Sequence, residues 1–144
     1  MNVEAILRNK GTAVATVSPQ ASIAVAVAML KREGVGALVV SRDGSAVDGI
    51  ISERDIIHGL AGLGGGLLDA KVEQLMTRRV FTCTPPDTIA ELAAEMTQRR
   101  IRHIPVLRDG KLAGIVSIGD VVKARLDEME YETSSLRSFI AGSS

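Results

Sequence analysis

The sequence predicts a mixed fold of the α+β or α/β class, built from two copies of one strand-helix-strand-strand-helix unit. The chain repeats itself, because Thr16-Val17-Ser18-Pro19 recurs as Thr82-Cys83-Thr84-Pro85, 66 positions later. Gly49-Ile50-Ile51-Ser52 likewise recurs as Gly114-Ile115-Val116-Ser117, 65 positions later. Hydrophobic residues make up 46% of the 144 residues, enough to bury a sizeable core. A unit of about 60 residues is marginal alone, so we expect the two copies to share a core.

The first copy begins with a β-rich stretch over residues 12–17, which Ser18-Pro19 ends. A helix follows, since apolar residues recur at helical spacing at Ile23, Ala26, Val27 and Leu30. Gly34 and Gly36 should end this helix. Residues 37–40 form an apolar run typical of a covered strand.

The first copy closes with a turn, a strand and a second helix. Arg42-Asp43-Gly44 has turn chemistry, and residues 49–52 predict the returning strand. Ser52 can then cap a helix from residue 53 to about residue 60. Residues 62–66 are rich in glycine and predict a flexible loop, after which Val72, Leu75 and Met76 suggest a short linking helix.

The second copy predicts the same order of elements. Its helix has the apolar positions Ile89, Leu92, Ala93 and Met96. Strands are expected at residues 103–107 and 111–117, around an Asp109-Gly110 turn, and a helix from residue 118 to about 127. We therefore place the first repeat at residues 1–68, the second at 69–127 and a separate C-terminal segment at 128–144.

The C-terminal segment departs from the repeat. Spacings of three, four, three and four positions separate Leu126, Met129, Thr133, Leu136 and Ile140, and acidic residues lie between them. This spacing predicts an amphipathic helix that covers a neighbouring subunit or its own body, and a frayed tail is the alternative.

Charge and composition exclude several classes of protein. The 17 basic and 17 acidic residues balance, so the broad positive field of non-specific nucleic-acid binding is missing. Residues 11–30 contain no charge, but their polar residues and change of period favour a strand, a turn and a helix over a membrane span. We expect no membrane or targeting segment and, with the single cysteine Cys83, a cytoplasmic protein.

The doubled pattern resembles the CBS domain family, named after cystathionine β-synthase, in its paired or Bateman form. Three features of both copies match: Thr-x-x-Pro before the first helix, a central apolar strand with Val39-Val40 or Pro105-Val106, and Gly-h-h-Ser-x-x-Asp, where h is apolar. The resemblance covers residues 1 to about 127. It implies two β-α-β-β-α units packed about a pseudo-twofold axis with a nucleotide cleft on either side, and frequent dimerisation into a flat disc. The clefts of the family typically take AMP, ADP, ATP, S-adenosylmethionine or a dinucleotide such as NAD.

The chemistry is expected at the Ser-x-x-Asp motifs, Ser52 with Asp55 and Ser117 with Asp120. A carboxylate and a hydroxyl three positions apart on a first helical turn share one face. An ionised aspartate only accepts hydrogen bonds and so suits two ribose hydroxyls, while serine and the helix N-terminus suit a phosphate oxygen. A helix-capping box is the other interpretation, and serine can serve both roles.

Other ligand contacts are implied by the resemblance alone. Thr16 and Thr82 fall where relatives contact the base or the phosphate, although each can be an ordinary strand threonine. The positions that line the adenine pocket in relatives are occupied by Ala37, Leu38, Ile104 and Pro105. Ordinary core packing explains these four residues equally simply.

The two copies differ in the cations available for phosphate. The second copy has Arg99, Arg100, Arg102 and His103 where the first has Glu33, Gly34, Gly36 and Ala37. We assign Arg102 and His103 to phosphate contact, and Arg99 and Arg100 to a solvated helix end. In the first motif Arg54 is the available cation, so we expect two unequal clefts.

The function expected is a regulatory module that binds an adenine nucleotide and reports energy or redox state to an unidentified partner protein, as a homodimer. The alternative is a dimerisation or scaffold module with vestigial clefts. We expect no enzyme and no catalytic cofactor, because no catalytic triad or acid–base pair is evident. His58 and His103 are too isolated for a metal site, and the glycines at 62–66 lack the lysine of a phosphate-binding P-loop.

Overall fold

A computed structural model describes residues 1–142 of the chain and confirms the mixed fold of two packed repeats. Its elements in chain order are α1 (Val3–Lys10), β1 (Thr16–Val17), α2 (Ile23–Glu33), β2 (Ala37–Val40), β3 (Gly49–Ser52), α3 (Glu53–Leu63), a 3₁₀ helix (Gly64–Asp69), α4 (Val72–Leu75), α5 (Ile89–Arg99), β4 (His103–Arg108), β5 (Lys111–Ser117) and α6 (Ile118–Gly142).

The first repeat has a three-stranded sheet in the order β1-β2-β3. β1 pairs with β2 in parallel, and β2 pairs with β3 in antiparallel register, with Ala37 opposite Ser52. All four residues of β2 are buried because strands flank it on both sides and helices cover it. Its core is formed by Ile23, Leu38, Ile51 and their neighbours.

The second repeat has a two-stranded sheet, β4 with β5, in which His103 lies opposite Ser117. Here the equivalent of β1 is reduced to Cys83, which forms a single parallel bridge to Val106. The Cys83 amide donates to the Pro105 carbonyl, and the Cys83 carbonyl accepts from the Leu107 amide. The predicted first strand is therefore one residue long in this repeat. Its core is formed by Ile89, Ile104, Val116 and their neighbours.

Each repeat receives a helix from outside its own strand-helix-strand-strand-helix unit. α1 packs through Val3 and Leu7 into the second core, and α4 packs through Val72 into the first. The contacts repeat closely: the Ile89 amide donates to the Met1 carbonyl, and the Ile23 amide donates to the Ala70 carbonyl. The two helices are therefore equivalent under the pseudo-symmetry, and α1 ties the N-terminus to the second repeat.

The glycine that opens each Gly-h-h-Ser motif faces the incoming helix. A Cβ on Gly114 would lie 2.6 Å from Leu7 Cδ2, and one on Gly49 would lie 2.7 Å from Met76 Sδ. Since carbon atoms pack best at about 3.5–4.0 Å, a side chain here would force the contacting side chain to move, and at Gly49 also the backbone of Thr77, whose oxygen lies 2.9 Å from the added Cβ. The glycines thus permit close packing of the incoming helix.

Several local expectations were wrong. The flexible loop predicted at residues 62–66 is helical, because α3 runs on to Leu63 and a 3₁₀ helix follows. Leu67 lies buried in the first core and orders this segment. β1 is shorter than residues 12–17, and α1 was not expected at all.

The C-terminal segment continues α6 as one helix to Gly142; residues 143 and 144 of the predicted segment lie outside the described part of the chain. The stripe residues Leu126, Met129, Leu136 and Ile140 are exposed. The proposed limits of the repeats at 68 and 127, and a covering role for this helix, stay predictions. No helix within residues 1–142 is long and apolar enough to cross a membrane.

Candidate functional site

The first Ser-x-x-Asp motif begins α3. The Asp55 amide donates to Ser52 Oγ (3.3 Å), and Asp55 Oδ2 accepts from the Ser52 amide (2.9 Å) and hydroxyl (3.0 Å). This is a complete capping box. The other carboxylate oxygen, Oδ1, accepts from the hydroxyl of Thr77 (3.2 Å).

The second motif begins α6 with the same reciprocal bonds. The Asp120 amide donates to Ser117 Oγ (3.2 Å), and Asp120 Oδ2 accepts from the Ser117 amide (2.9 Å). Burial by itself would raise the pKa of Asp120, but the hydrogen bond and charge of Lys10 and the Ser117 amide outweigh it and hold the pKa below its ordinary value. Both aspartates therefore cap their helices, as one of the two sequence interpretations predicted, and a ligand role for them stays a prediction.

Two residues at these sites were missed from the sequence. Lys10 Nζ lies 2.6 Å from Asp120 Oδ2 and 2.9 Å from the Ile115 carbonyl oxygen, and Thr77 contacts Asp55. Lys10 ends α1 and Thr77 follows α4, so the incoming helix of each repeat brings a donor to its aspartate. A signal existed: Val3-Glu4-Ala5-Ile6-Leu7 resembles Val72-Glu73-Gln74-Leu75-Met76, 69 positions later.

His103 lies at the contact between the two repeats. A Cβ on Gly36 would lie 3.3 Å from His103 Cε1 and 3.6 Å from Glu53 Oε1, so the ring lies against the first repeat. Burial lowers the pKa of His103 and Lys10 lowers it further, while Glu53 opposes the shift. The neutral ring is favoured, which leaves one N–H donor at the boundary of the repeats.

The candidate cations are arranged unequally. Arg54 and Arg102 are both exposed, and Arg102 is close enough to His103 to affect its pKa. Arg99 instead pairs with Glu95 (Nε to Oε2, 2.5 Å) and stacks on Phe81, with its guanidinium carbon 4.4 Å from the ring centre. Arg99 thus has one partner on its own helix, Glu95, and one in the segment before it, Phe81. Phosphate contact by Arg54, Arg102 and His103 stays a prediction.

The residues expected around the adenine base differ in how deeply they are buried. Leu38 and Ile104 are fully buried in the two cores, and Ala37 and Pro105 are buried beside them in the same strands. Thr16 and Thr82 are half-buried. The register places Ala37 and His103 beside the capping serines Ser52 and Ser117, at the ends of the sheets where the aspartates lie.

Two cavities lie elsewhere and contain neither aspartate. One, of about 450 Å³, is lined by Glu4, Pro85, Arg108 and their neighbours, with Arg108 paired to Glu4 at 2.8 Å. The other, of about 280 Å³, is an apolar groove between α5 and α6. Across the described chain, residues 1–142, no three His, Cys, Asp or Glu residues converge to hold a metal.

The family model of the CBS domain matches residues 6–62 and 72–127, one match for each repeat. The chain belongs to the CBS domain family. The two matches place a Ser-x-x-Asp motif in each CBS repeat, and Lys10 lies inside the first match although it contacts the second repeat.

Relatives of this CBS pair include proteins of similar size and larger ones. A structure of the CBS-domain protein ATU1752 from Agrobacterium tumefaciens is 43% identical, with a TM-score of 0.84 over 87% of this chain and 99% of that one. The mitochondrial CBS domain-containing protein CBSX3 of Arabidopsis thaliana is 40% identical over 121 residues, which are 81% of this chain and 59% of the plant protein.

Two related structures have adenosine ligands. The CBS domain pair of protein MJ0100 is in complex with 5′-methylthioadenosine and S-adenosylmethionine; it is 25% identical, with a TM-score of 0.78 over 89% of this chain and 98% of that one. The CBS domain protein PAE2072 from Pyrobaculum aerophilum is in complex with AMP; it is 25% identical, with a TM-score of 0.74 over 83% of this chain and 89% of that one. Adenosine binding thus occurs among the structural neighbours of this chain.

Proposed function

We propose that this CBS pair is a regulatory, non-catalytic module that binds an adenine nucleotide and passes its occupancy to a partner protein. The supporting observation is that both repeats present the same Ser-Asp pair at a helix N-terminus, in a fold whose relatives bind AMP or S-adenosylmethionine. AMP, ADP, ATP, NAD and S-adenosylmethionine are the ligands that we propose, and the cytoplasm is the compartment.

The chemistry of each cleft follows from the capping box. The carboxylates are hydrogen-bond acceptors that suit ribose hydroxyls, and Asp55 already accepts two hydroxyls, those of Ser52 and Thr77. The first amides of α3 and α6, those of Glu53 and Ile118, already donate to backbone carbonyl oxygens. The next amides, those of Arg54 and Gly119, lie at the positive end of each helix dipole and favour a phosphate oxygen. A ligand shifts the balance between two arrangements of the repeats only if it binds one of them better.

Calorimetry with AMP, ATP, NAD and S-adenosylmethionine tests this function. We expect Asp55→Ala and Asp120→Ala each to weaken one site, and the double variant to abolish binding. Asp127→Ala is the matched control, because this aspartate is exposed on α6 outside the motifs. Since losing a cap costs about 0.5–2 kcal/mol, thermal melting must show that each variant is folded. Binding of none of the ligands, or undiminished binding by the folded double variant, would refute the proposal.

A dimerisation or scaffold module is the second candidate function, and the surface of α6 favours it. The groove between α5 and α6 continues into exposed Leu126, Met129 and Leu136 along the helix. We propose a homodimer through this face. Deletion of residues 128–144, followed by measurement of the molecular mass in solution, should then yield monomers. If partner binding is lost with the deletion while nucleotides change nothing, the scaffold function is the correct one.

A further inference from the structure

Lys10 distinguishes the two clefts. It is the only lysine within residues 1–142 that pairs with an aspartate of a Ser-x-x-Asp motif. Resting on the nucleotide-binding function proposed above, we propose that Lys10 makes the second cleft selective for adenine nucleotides that have a phosphate, against adenosine derivatives without one.

The ammonium group of Lys10 is held by two acceptors. Its Nζ atom donates to Asp120 Oδ2 (2.6 Å) and to the Ile115 carbonyl oxygen (2.9 Å). Both side chains of the pair are mostly shielded, with 32% of Lys10 and 23% of Asp120 exposed. An ammonium group is a compact, strongly hydrated charge, so it needs acceptors when water is partly removed.

A ribose whose two hydroxyls bind both carboxylate oxygens of Asp120 must share Oδ2 with Lys10 or replace it there. Asp120 Oδ2 already accepts from both Lys10 and the Ser117 amide. When a ribose diol binds this carboxylate, the Lys10 ammonium loses part of its hydrogen bonding to the negative charge of Asp120. An uncharged ligand offers it nothing in return, whereas a phosphate provides a new acceptor of opposite charge.

The position of Ser117 brings that phosphate within reach of Lys10. The Ile118 amide donates to the Arg102 carbonyl, so the groups at the start of α6 that attract an anion are the Ser117 hydroxyl and the Gly119 amide. Ser117 is hydrogen-bonded to Asp120, whose carboxylate Lys10 contacts. The four-carbon stem of lysine allows its charge to turn from Asp120 towards such an anion. The ion pair is therefore a preformed source of positive charge for the phosphate.

The first cleft lacks this requirement. Its aspartate contacts the neutral hydroxyl of Thr77, and the nearest candidate cation, Arg54, makes no hydrogen bond to Asp55 in the described chain. A ribose that displaces Thr77 leaves behind a hydroxyl, which water can satisfy, so the first cleft should tolerate ligands without phosphate.

The test compares AMP with adenosine in an Asp55→Ala background, which isolates the second cleft. Calorimetry should give a preference for AMP of at least about 10-fold, as expected for a charge-assisted hydrogen bond. Lys10→Met and Lys10→Gln should lower this preference by about 10-fold, mainly by weakening AMP binding. Lys10→Arg should retain it, because the cation is kept. Lys10→Gln covers the case in which Lys10→Met does not fold.

Lys111→Met is the matched control, because it removes the same charge at the opposite end of the β4–β5 pair from His103 and Ser117. It should leave the ratio of the two affinities unchanged. If AMP binds but the ratio is the same with and without Lys10, or falls equally in Lys111→Met, the role of Lys10 is refuted while nucleotide binding stands. If the cleft binds neither AMP nor adenosine, both proposals fail for the second repeat.

Discussion

Replacing Gly49 by alanine should destabilise the protein more than the same change at Gly114, although the two glycines occupy one position of the repeat. At Gly114 the new methyl group would lie 2.6 Å from Leu7 Cδ2, the end of a side chain. At Gly49 it would meet Met76 Sδ at 2.7 Å and also the backbone oxygen of Thr77 at 2.9 Å. A side-chain end can move by rotation, whereas a backbone oxygen moves only with its segment.

The magnitudes follow from what must shift. Turning Leu7 away from its preferred rotamer costs about 0.5–1.5 kcal/mol, which the lower entropy of the unfolded alanine chain offsets by about 0.4–1 kcal/mol. The net loss for Gly114→Ala is therefore at most about 1 kcal/mol. At Gly49 the Thr77 carbonyl accepts from the Ile50 amide (3.0 Å), and the Thr77 amide donates back to Ile50 (2.9 Å). Overpacking of about 1–3 kcal/mol plus strain on these two bonds gives about 3 kcal/mol, or roughly 10 °C in Tm.

Urea unfolding followed by far-ultraviolet circular dichroism measures both variants, since the helices report on the whole fold. Gly62→Ala is the control, because it lies in α3 with no atom within 4 Å of the new methyl group. It should be neutral or stabilising by up to about 1 kcal/mol. Equal losses at Gly49 and Gly114, or a larger loss at Gly114, would show that the backbone of Thr77 does not set the difference.

Three further outcomes are expected. Arg100 ends α5 with φ +55°, a left-handed conformation that the equivalent Gly34 adopts with φ +64°. Because glycine adopts this conformation without strain, Arg100→Gly should raise the free energy of unfolding by about 0.5–1 kcal/mol in the same urea assay. A lower free energy of unfolding would contradict this. Because burial lowers the pKa of His103, its contribution to stability is complete above the unfolded pKa near 6.5 and is lost as the pH falls through the folded value. Melting temperatures should therefore fall from pH 7 to pH 5 more steeply in the wild type than in His103→Gln, and parallel profiles would count against it. Burial raises the pKa of the Cys83 thiol to about 12. A thiol reagent at pH 8 should therefore label the folded protein at least about 100-fold more slowly than the urea-unfolded chain. Rapid labelling of the folded protein would show that this thiol is accessible.

The sequence predicted the elements that local patterns determine. The stripe of Ile23 and Ala26 specified α2, and the apolar run beginning at Ala37 specified β2, because burial on one face or on both leaves a periodic trace. Ser52 and Asp55 form the box that their spacing allowed. By contrast, the glycines before Leu67 predicted a loop, and tertiary burial of that leucine imposed a 3₁₀ helix instead.

The candidate site was predicted only in part, because its remaining contacts join distant parts of the chain. Lys10 and Asp120 are 110 positions apart, and no local pattern relates an N-terminal lysine to that aspartate. The comparison of the repeats at a spacing of 66 also passes over α1, which matches α4 only at a spacing of 69. His103 was assigned to a phosphate from its position after the arginines, while its contact with Gly36 depends on how the two repeats pack.

The crossing of α1 to the second repeat has a consequence for synthesis of the chain on the ribosome. α1 emerges first, but the surface that covers Val3, Ile6 and Leu7 is made of residues between Cys83 and Ala124. At translation rates of about 5–20 residues per second, this apolar face of α1 stays uncovered for roughly 6–25 seconds, until the residues that pack against it have been synthesised. The nascent first repeat also lacks its own covering helix, α4, until Val72 has left the exit tunnel. A ribosome stalled before the second repeat would therefore hold a chain with two unsatisfied apolar surfaces, a natural target for chaperones.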